Sequence, residues 1–126
     1  MTKRILIVED EDSIVASLEF LMQRKGFQTL VARDGISALE CLATFRPDLV
    51  VLDVMLPGKS GHEVCRSLRT APLHRDIPVV MLTAKGGIED ADEGMNSGAD
   101  EYVVKPFSTR DLLARVTSLL AARDPR

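Results

Sequence analysis

The sequence lacks any long apolar run. No segment approaches the roughly 20 apolar residues that cross a bilayer, and the opening stretch MTKRILIVED turns acidic before the core of a signal peptide could form. Cysteine is also scarce, and both copies, Cys41 and Cys65, fall on apolar helical stripes without a neighbouring cluster of metal ligands. We therefore expect a soluble, cytoplasmic protein without membrane association, in which the two cysteines pack in the core.

The sequence also lacks a large excess of positive or negative charge. The 16 lysines and arginines nearly balance the 19 aspartates and glutamates, so that the net charge is −3. This gives no basic field of the kind that attracts a phosphate backbone, and we expect no direct binding of nucleic acid by this chain. The length of 126 residues, 45% of them apolar, favours one domain, residues 1–126, with a substantial core.

Short β-rich runs alternate with segments of helical period along the whole chain, without repeats or long linkers. The five runs span Arg4 to Val8, Gln28 to Ala32, Asp48 to Asp53, Ile77 to Leu82 and Glu101 to Val104. Ser60 and Glu63 have the spacing of a helix-capping box, and Ser108 with Asp111 repeats it in a weaker form. The pattern predicts an α/β fold of (βα)5 type, a parallel sheet with helices on both faces.

An aspartate ends one of the buried runs. The stretch LVVLDVMLPG contains four consecutive apolar residues, Leu49 to Leu52, which predict a fully buried strand. An isolated carboxylate there would cost several kcal/mol or give up its charge. Asp53 therefore needs a partner, an opening to solvent or a chemical role.

Other polar residues also follow predicted strands. Glu9 and Asp10 follow the first strand, Thr83 the fourth and Lys105 the fifth. Ligands of a doubly wound sheet bind beyond the carboxyl ends of its strands, so these groups and Asp53 should meet at one edge. Each of them alone could be a solvated loop residue or a helix cap, but that explanation leaves the combination of three acids, a hydroxyl and an amine unaccounted for.

Three carboxylates at one edge require a cation. Two carboxylates about 4 Å apart repel by roughly 4 kcal/mol at an effective dielectric of about 20, and the single ammonium of Lys105 is too little to offset this. Mg2+ takes oxygen ligands and shares its shell with phosphate oxygens. Phosphoryl transfer depends on positioning and charge neutralisation, and Asp53 can accept a phosphoryl group as an acyl phosphate.

Four stretches carry a family resemblance that covers nearly the whole chain. They are ILIVEDE, PDLVVLDVMLPGKSG, IPVVMLTAK and GADEYVVKPF. Together they resemble the response-regulator receiver domain of two-component signalling, and within that family the OmpR/PhoB subfamily. The resemblance implies a five-stranded parallel sheet of order 2-1-3-4-5, the flavodoxin-like or receiver fold, and a domain that catalyses only its own phosphorylation and dephosphorylation.

The resemblance also assigns roles to the site residues. It implies that Asp53 is the phosphorylated residue, and that Asp10, Asp53 and the main-chain carbonyl of Met55 bind Mg2+. Glu9 would act through a metal-bound water. Thr83 would hydrogen-bond the phosphoryl group, and Lys105 would neutralise it, with a cis bond to the following proline.

A switch and a set of partners come with the resemblance. The phosphoryl donor would be a phosphohistidine of a sensor histidine kinase. Phosphorylation would draw Thr83 toward the site and let Tyr102 turn inward, changing the face made by the fourth helix and the fifth strand and helix. That face would control a downstream protein or an output domain. Glycines at positions 86, 87, 94 and 98 predict a mobile fourth helix.

Self-association is expected to be weak. Relatives that dimerise through this face pair a base at the position of Ala91 with an acid at Asp111, and an acid at Glu101 with a base at Arg115. Only the second pair is present here, and the positions of a third pair are uncharged. We expect a monomer before phosphorylation and at most a weak dimer after it.

Other functions remain open. The chain could be the receiver of a longer DNA-binding transcriptional regulator. A Mg-dependent aspartyl-phosphate phosphatase would need an acid two residues after the nucleophile, where Met55 stands. A flavin module would need a phosphate-binding loop where the acidic EDEDS stands, and a degenerate receiver would lack part of the acid, Thr and Lys set. His62 and His74 have no ligand or triad spacing and are expected at the surface.

Overall fold

The computed structural model describes residues 2–84 and 98–123. Five strands form one parallel sheet of order β2-β1-β3-β4-β5, which confirms the predicted fold. The strands are β1 (Arg4–Val8), β2 (Gln28–Ala32), β3 (Leu49–Asp53), β4 (Val79–Ala84) and β5 (Glu101–Lys105). The helices of the described residues are α1 (Asp12–Arg24), α2 (Gly35–Phe45), α3 (Gly61–Thr70) and α4 (Thr109–Arg123).

The sheet separates two apolar layers because successive residues of each strand point to opposite faces. On one face Leu6, Val50 and Met81 pack with the buried residues of α2 and α3. On the other face Ile7, Val51 and Leu82 pack with α1 and α4. All five residues of β3 are buried, as expected for a strand covered on both faces.

Strand bounds agree with the sequence for β1 and β2 and shift for the others. β4 was predicted from Ile77 but begins at Val79, because Pro78 has no N–H to donate and contributes only its carbonyl, which accepts from Val50. β4 and β5 extend one or two residues beyond their predicted ends, so that Thr83 and Lys105 lie within strands.

The capping box at Ser60 is confirmed in full. Ser60 Oγ accepts from the Glu63 N–H, and Glu63 Oε1 accepts from the Ser60 N–H at 3.1 Å. At the start of α4 only one of the two hydrogen bonds of a capping box is present, in which the Asp111 N–H donates to Ser108 Oγ.

His62 was predicted at the surface, and this prediction was wrong, since the residue is 4% exposed. His62 is buried because the first turn of α3, to which it belongs, packs against the end of β3.

Cys65 is buried in the layer of α2 and α3, Cys41 is partly buried against the same layer, and neither forms a disulfide within the described residues. Within the described ranges, no helix is both long and apolar enough to span a membrane. The predicted fourth helix, with Gly86, Gly87 and Gly94, lies outside the described residues, as does Ala91. Gly98 is described and has φ +102°, a left-handed conformation that suits glycine.

Candidate functional site

The predicted site residues lie at the carboxyl edge of the sheet. Glu9 follows β1, Asp53 ends β3 and Lys105 ends β5. Thr83 lies near the end of β4, opposite Val104 in register, and its side chain is buried. Parallel pairing without a shift of register therefore brings together residues that the sequence separates by many positions.

Lys105 connects two of the acids. Its Nζ lies 3.2 Å from Glu9 Oε1 and 3.3 Å from Asp53 Oδ2. Burial by itself lowers the pKa of Lys105, but the charges of Asp53 and Glu9 outweigh this and raise the pKa above its ordinary value of 10.5. The ammonium form is thus held at the site. The Lys105–Pro106 peptide bond is cis, as the resemblance implied.

Three carboxylates converge beside this ammonium. Glu9, Asp10 and Asp53 each offer an oxygen, and these oxygens all lie within 4.8 Å of one another. Glu9 is 1% exposed, whereas Asp10 is exposed. Burial, followed by the nearby charge of Asp53, raises the pKa of Glu9 above 4.5. The cluster is short of positive charge, and its all-oxygen donor set suits a hard divalent cation.

Main-chain groups orient two of these carboxylates. The Met55 N–H donates to Asp53 Oδ1 at 3.3 Å, which leaves Oδ2 toward Lys105. The Glu11 N–H donates to Glu9 Oε2 at 3.2 Å. The side chain of Met55 is 74% exposed, so the residue contributes to this site through its backbone. The Glu11 contact was not predicted, because it depends on the path of the main chain after β1.

Gly61 is a further residue of the site that the sequence reasoning missed. A Cβ on Gly61 would lie 2.3 Å from the main-chain oxygen of Asp53 and 2.8 Å from Val54 Cα. The first turn of α3 can therefore approach the backbone of Asp53 only with glycine there. The signal for this was present in the sequence, since a glycine directly follows the N-cap Ser60.

Tyr102 does not join the acid cluster. It lies three residues before Lys105 in β5 and is partly buried against the layer of α2 and α3. The structure thus brings together Glu9, Asp10, Asp53 and Lys105, with Thr83 buried at the end of the neighbouring strand. Tyr102 stands apart from them.

Comparison with known proteins agrees with this geometry. Residues 5–117 match the family model of the response regulator receiver domain. The chain is 45% identical over 124 residues to the DNA-binding response regulator MtrA of Mycobacterium tuberculosis, covering 98% of this chain and 53% of the relative. It is 45% identical over 125 residues to the phosphate regulon transcriptional regulatory protein PhoB of Escherichia coli, covering 99% of this chain and 55% of the relative. The chain thus spans about half the length of these relatives.

Solved structures share the fold closely. A putative response regulator from Chloroflexus aurantiacus superposes with a TM-score of 0.93 at 36% identity, covering 96% of this chain and 99% of that one. The receiver domain of the sensor histidine kinase PA1611 from Pseudomonas aeruginosa has a TM-score of 0.88 at 26% identity, covers 96% of this chain and 99% of that one, and has a magnesium ion coordinated in its active-site cleft. On its family match and on these relatives, the chain belongs to the receiver domains of two-component response regulators, close to the OmpR/PhoB subfamily.

Proposed function

We propose that this chain is a single receiver domain, residues 1–126, that accepts a phosphoryl group on Asp53 from the phosphohistidine of a sensor histidine kinase. One observation carries the proposal. The Asp53 side chain is nearly enclosed, at 5% exposure, yet it lies 3.3 Å from the Lys105 ammonium and next to two further carboxylates at the sheet edge. A structural ion pair would need one acid for one base, whereas the described residues of this site include two acids in excess.

Magnesium fits the donor set of the site. Asp10, Asp53 and the main-chain carbonyl of Met55 would hold the ion, and Glu9 would act through a bound water. When bound, the ion would neutralise charge on the acids and on the phosphoryl oxygens. The excess of carboxylates within 4.8 Å of one another supports this assignment.

The chemistry of the chain's own residues follows from their contacts. A carboxylate oxygen of Asp53 attacks the phosphorus, an O–P bond forms, and the N–P bond to the donor imidazole breaks with its electron pair going to nitrogen. The Met55 N–H fixes one Asp53 oxygen, so the side chain is oriented before the donor arrives. Lys105 neutralises one phosphoryl oxygen, and the Thr83 hydroxyl donates to another.

The switch is proposed to pass through Thr83 and Tyr102. The phosphoryl group adds about −1.5 to −2 charge and several strong acceptors, which would draw the Thr83 hydroxyl toward Asp53. Tyr102 lies on the neighbouring strand β5, paired in register with Met81. Its inward rotation would change the face presented by β5 and α4 to a downstream protein or output domain.

Phosphorylation by a small donor tests the proposal. After incubation with acetyl phosphate and Mg2+, intact mass should show one added phosphoryl group on the wild-type chain and none on Asp53→Asn. The matched control is Asp76→Asn, which removes an exposed aspartate before β4 and should be labelled like wild type. EDTA should abolish the reaction. A labelled Asp53→Asn chain would refute the assignment of Asp53.

A longer regulator is the second candidate, in which this receiver controls a DNA-binding domain. The observation that favours it is the length of the relatives, of which the chain spans 53% and 55%. Sequencing the gene beyond codon 126 decides the matter. A phosphatase acting on other molecules is disfavoured, because the position two residues after Asp53 holds the exposed, uncharged Met55.

Self-association before phosphorylation is proposed to be absent. Arg115 donates within its own chain to Asp111 Oδ2 at 3.1 Å and to Glu101 Oε1. A cross-subunit pair would have to replace these contacts, and therefore adds little. Sedimentation should give a monomer for the untreated chain and at most a weak dimer with beryllofluoride and Mg2+; a tight dimer at sub-micromolar concentration would contradict this.

A further inference from the structure

A cavity lies at the edge of the sheet opposite to Asp53. It has a volume of about 380 Å3 and is formed where the end of α2, the loop after α3 and the end of α4 meet. Pro47 and Ile77 are buried at its floor, and Leu73 at its wall is 86% exposed. This volume is at the lower end of the range of small-molecule sites, and an apolar floor is typical of them.

The polar groups that line this cavity are mainly donors. Arg46, His74 and Arg123 contribute two guanidinium groups and an imidazole. The lining includes one acid, Asp48, whose Oδ2 already accepts from the Arg4 N–H at 2.8 Å. Arg123 uses one of its N–H groups on the Asp48 carbonyl, at 2.9 Å. Among the described residues, positive charge and unused donors therefore remain beside the apolar side chains that line the cavity.

Arg46 is the most informative of these groups. Within the described part of the chain its side chain has no hydrogen-bond or ion-pair partner. Its backbone has φ 52° and ψ 67°, in the left-handed region, at the position after α2 where glycine is the favoured residue. The chain thus holds a guanidinium at a place where the backbone alone would prefer no side chain.

We propose that this cavity binds a small organic anion with an apolar body, a carboxylate or a phosphate monoester. The apolar part would lie on Pro47 and Ile77, and the anionic head would accept from Arg46 and Arg123. Arg46 directly follows α2 on one face of the sheet, and Arg123 is the last residue of α4 on the other. An anion that bridges them would tie the end of α4 to α2, so the ligand could act on this domain without using Asp53.

Titration followed by NMR tests the proposal on the intact chain without Mg2+. The probes are 4-phenylbutyrate, benzyl phosphate, inorganic phosphate and the neutral 4-phenylbutyramide. We expect saturable shifts of the Leu73, His74 and Ile77 amides with at least one of the two amphipathic anions, at a dissociation constant of about 1 mM or tighter. The better of these two anions identifies the head group. The neutral amide and inorganic phosphate should bind more weakly than that anion.

Two variants separate this site from general attraction of anions. Arg46→Gly should weaken binding about tenfold to a hundredfold, while the removal of a left-handed arginine should keep or raise thermal stability. Arg123→Gln should weaken binding by a similar factor and serves if Arg46→Gly fails to fold. Arg75→Gln removes an exposed arginine of the same loop region that does not line the cavity, and should bind like wild type.

Three results would overturn the proposal. The first is the absence of saturation with both amphipathic anions up to about tenfold above the expected dissociation constant. The second is equal binding of 4-phenylbutyramide or of inorganic phosphate, which would reduce the site to an apolar surface or a charged one. The third is an equal loss of anion binding in Arg75→Gln and Arg46→Gly. Binding would then be explained by the overall positive charge at this end of the molecule and not by the cavity.

Discussion

The two edges of the sheet treat charge in opposite ways. At the carboxyl edge, the described residues place the acid cluster of Glu9, Asp10 and Asp53 beside one ammonium, that of Lys105, which contacts Glu9 and Asp53. At the opposite edge, the Arg69 guanidinium donates to three main-chain carbonyls and to the Asp100 carboxylate, at 2.6 to 3.0 Å. The acid cluster leaves charge for a ligand to neutralise, whereas the Arg69–Asp100 network leaves almost none of its own charge. The cavity lined by Arg46 and Arg123 at the same edge is separate from this network.

The charges at the two edges contribute differently to the stability of the fold. Asp100 Oδ2 also accepts from the Val79 N–H, so Arg69 and Asp100 together fix the start of β4, the turn at Gly98 and the end of α3. Removing a member of that network would leave acceptors without donors. Removing an acid at the carboxyl edge would instead relieve repulsion. Charged groups should therefore contribute to stability mainly at the Arg69–Asp100 network, and to the proposed phosphorylation mainly at the carboxyl edge.

Arginine removal gives the largest expected effect. Arg69→Met keeps the aliphatic stem but removes the donor of three carbonyls and the cation beside Asp100, and should lower the free energy of unfolding by about 2 to 4 kcal/mol. The matched control, Arg33→Met, breaks an exposed pair with Asp12 at the carboxyl edge, and should cost less than about 1 kcal/mol. Urea denaturation measures both. Equal losses would remove the distinction between the two edges.

A packing substitution sharpens the comparison, because the carboxyl edge is crowded although its charges are unbalanced. Gly61→Ala would force the first turn of α3 away from the backbone of Asp53 and Val54, and should cost about 1 to 3 kcal/mol. Its phosphorylation by acetyl phosphate should slow as well, since Asp53 would shift. Ser67→Ala in the same helix, which adds no atom near β3, should change stability by less than about 0.5 kcal/mol. A Gly61→Ala protein with unchanged stability would contradict the close approach.

Charge removal at the carboxyl edge should have a smaller effect and the opposite sign. With EDTA, Asp10→Asn should be as stable as wild type or more stable by up to about 1 kcal/mol, because one of three clustered carboxylates is gone. Added Mg2+ should stabilise wild type more than the variant, since ligand binding to the folded state adds to stability. Asp76→Asn should respond to Mg2+ as wild type does. Thermal melts with and without Mg2+ measure the stabilisation of each protein. Equal stabilisation of all three proteins would argue against metal binding at Asp10.

The smallest effect concerns pH and the helix that borders the site. The Ser60 N–H lowers the pKa of Glu63 below its ordinary value of 4.5. A carboxyl whose pKa is lower in the folded state stabilises the fold above 4.5, and this contribution is lost as the pH falls through the folded value. Glu63→Gln keeps an acceptor but cannot titrate. Its stability deficit relative to wild type should shrink on acidification, and a deficit that stays constant with pH would count against the capping box.

Periodicity and strand-end residues predicted the fold because they report topology. The buried run before Asp53 and the polar groups after the other strands need only parallel pairing to meet, and no side-chain detail. The contacts that depend on tertiary packing were not accessible in the same way. His62 was expected at the surface because nothing in its spacing indicates that α3 seats its first turn against β3. Arg69 gave no signal, since three of its four acceptors are carbonyls, which every residue carries.

The contact between Lys105 and Glu9 joins residues 96 positions apart. A chain emerging from the ribosome therefore has its acidic residues long before it has the Lys105 ammonium that contacts two of them. Until β5 has been synthesised and paired with β4, Asp53 lacks one of its proposed phosphoryl-binding groups. A partly synthesised domain therefore has an incomplete site. The proposed phosphorylation is in this sense tied to completion of the fold, and a chain that ends before Lys105 should take up no phosphoryl group from acetyl phosphate.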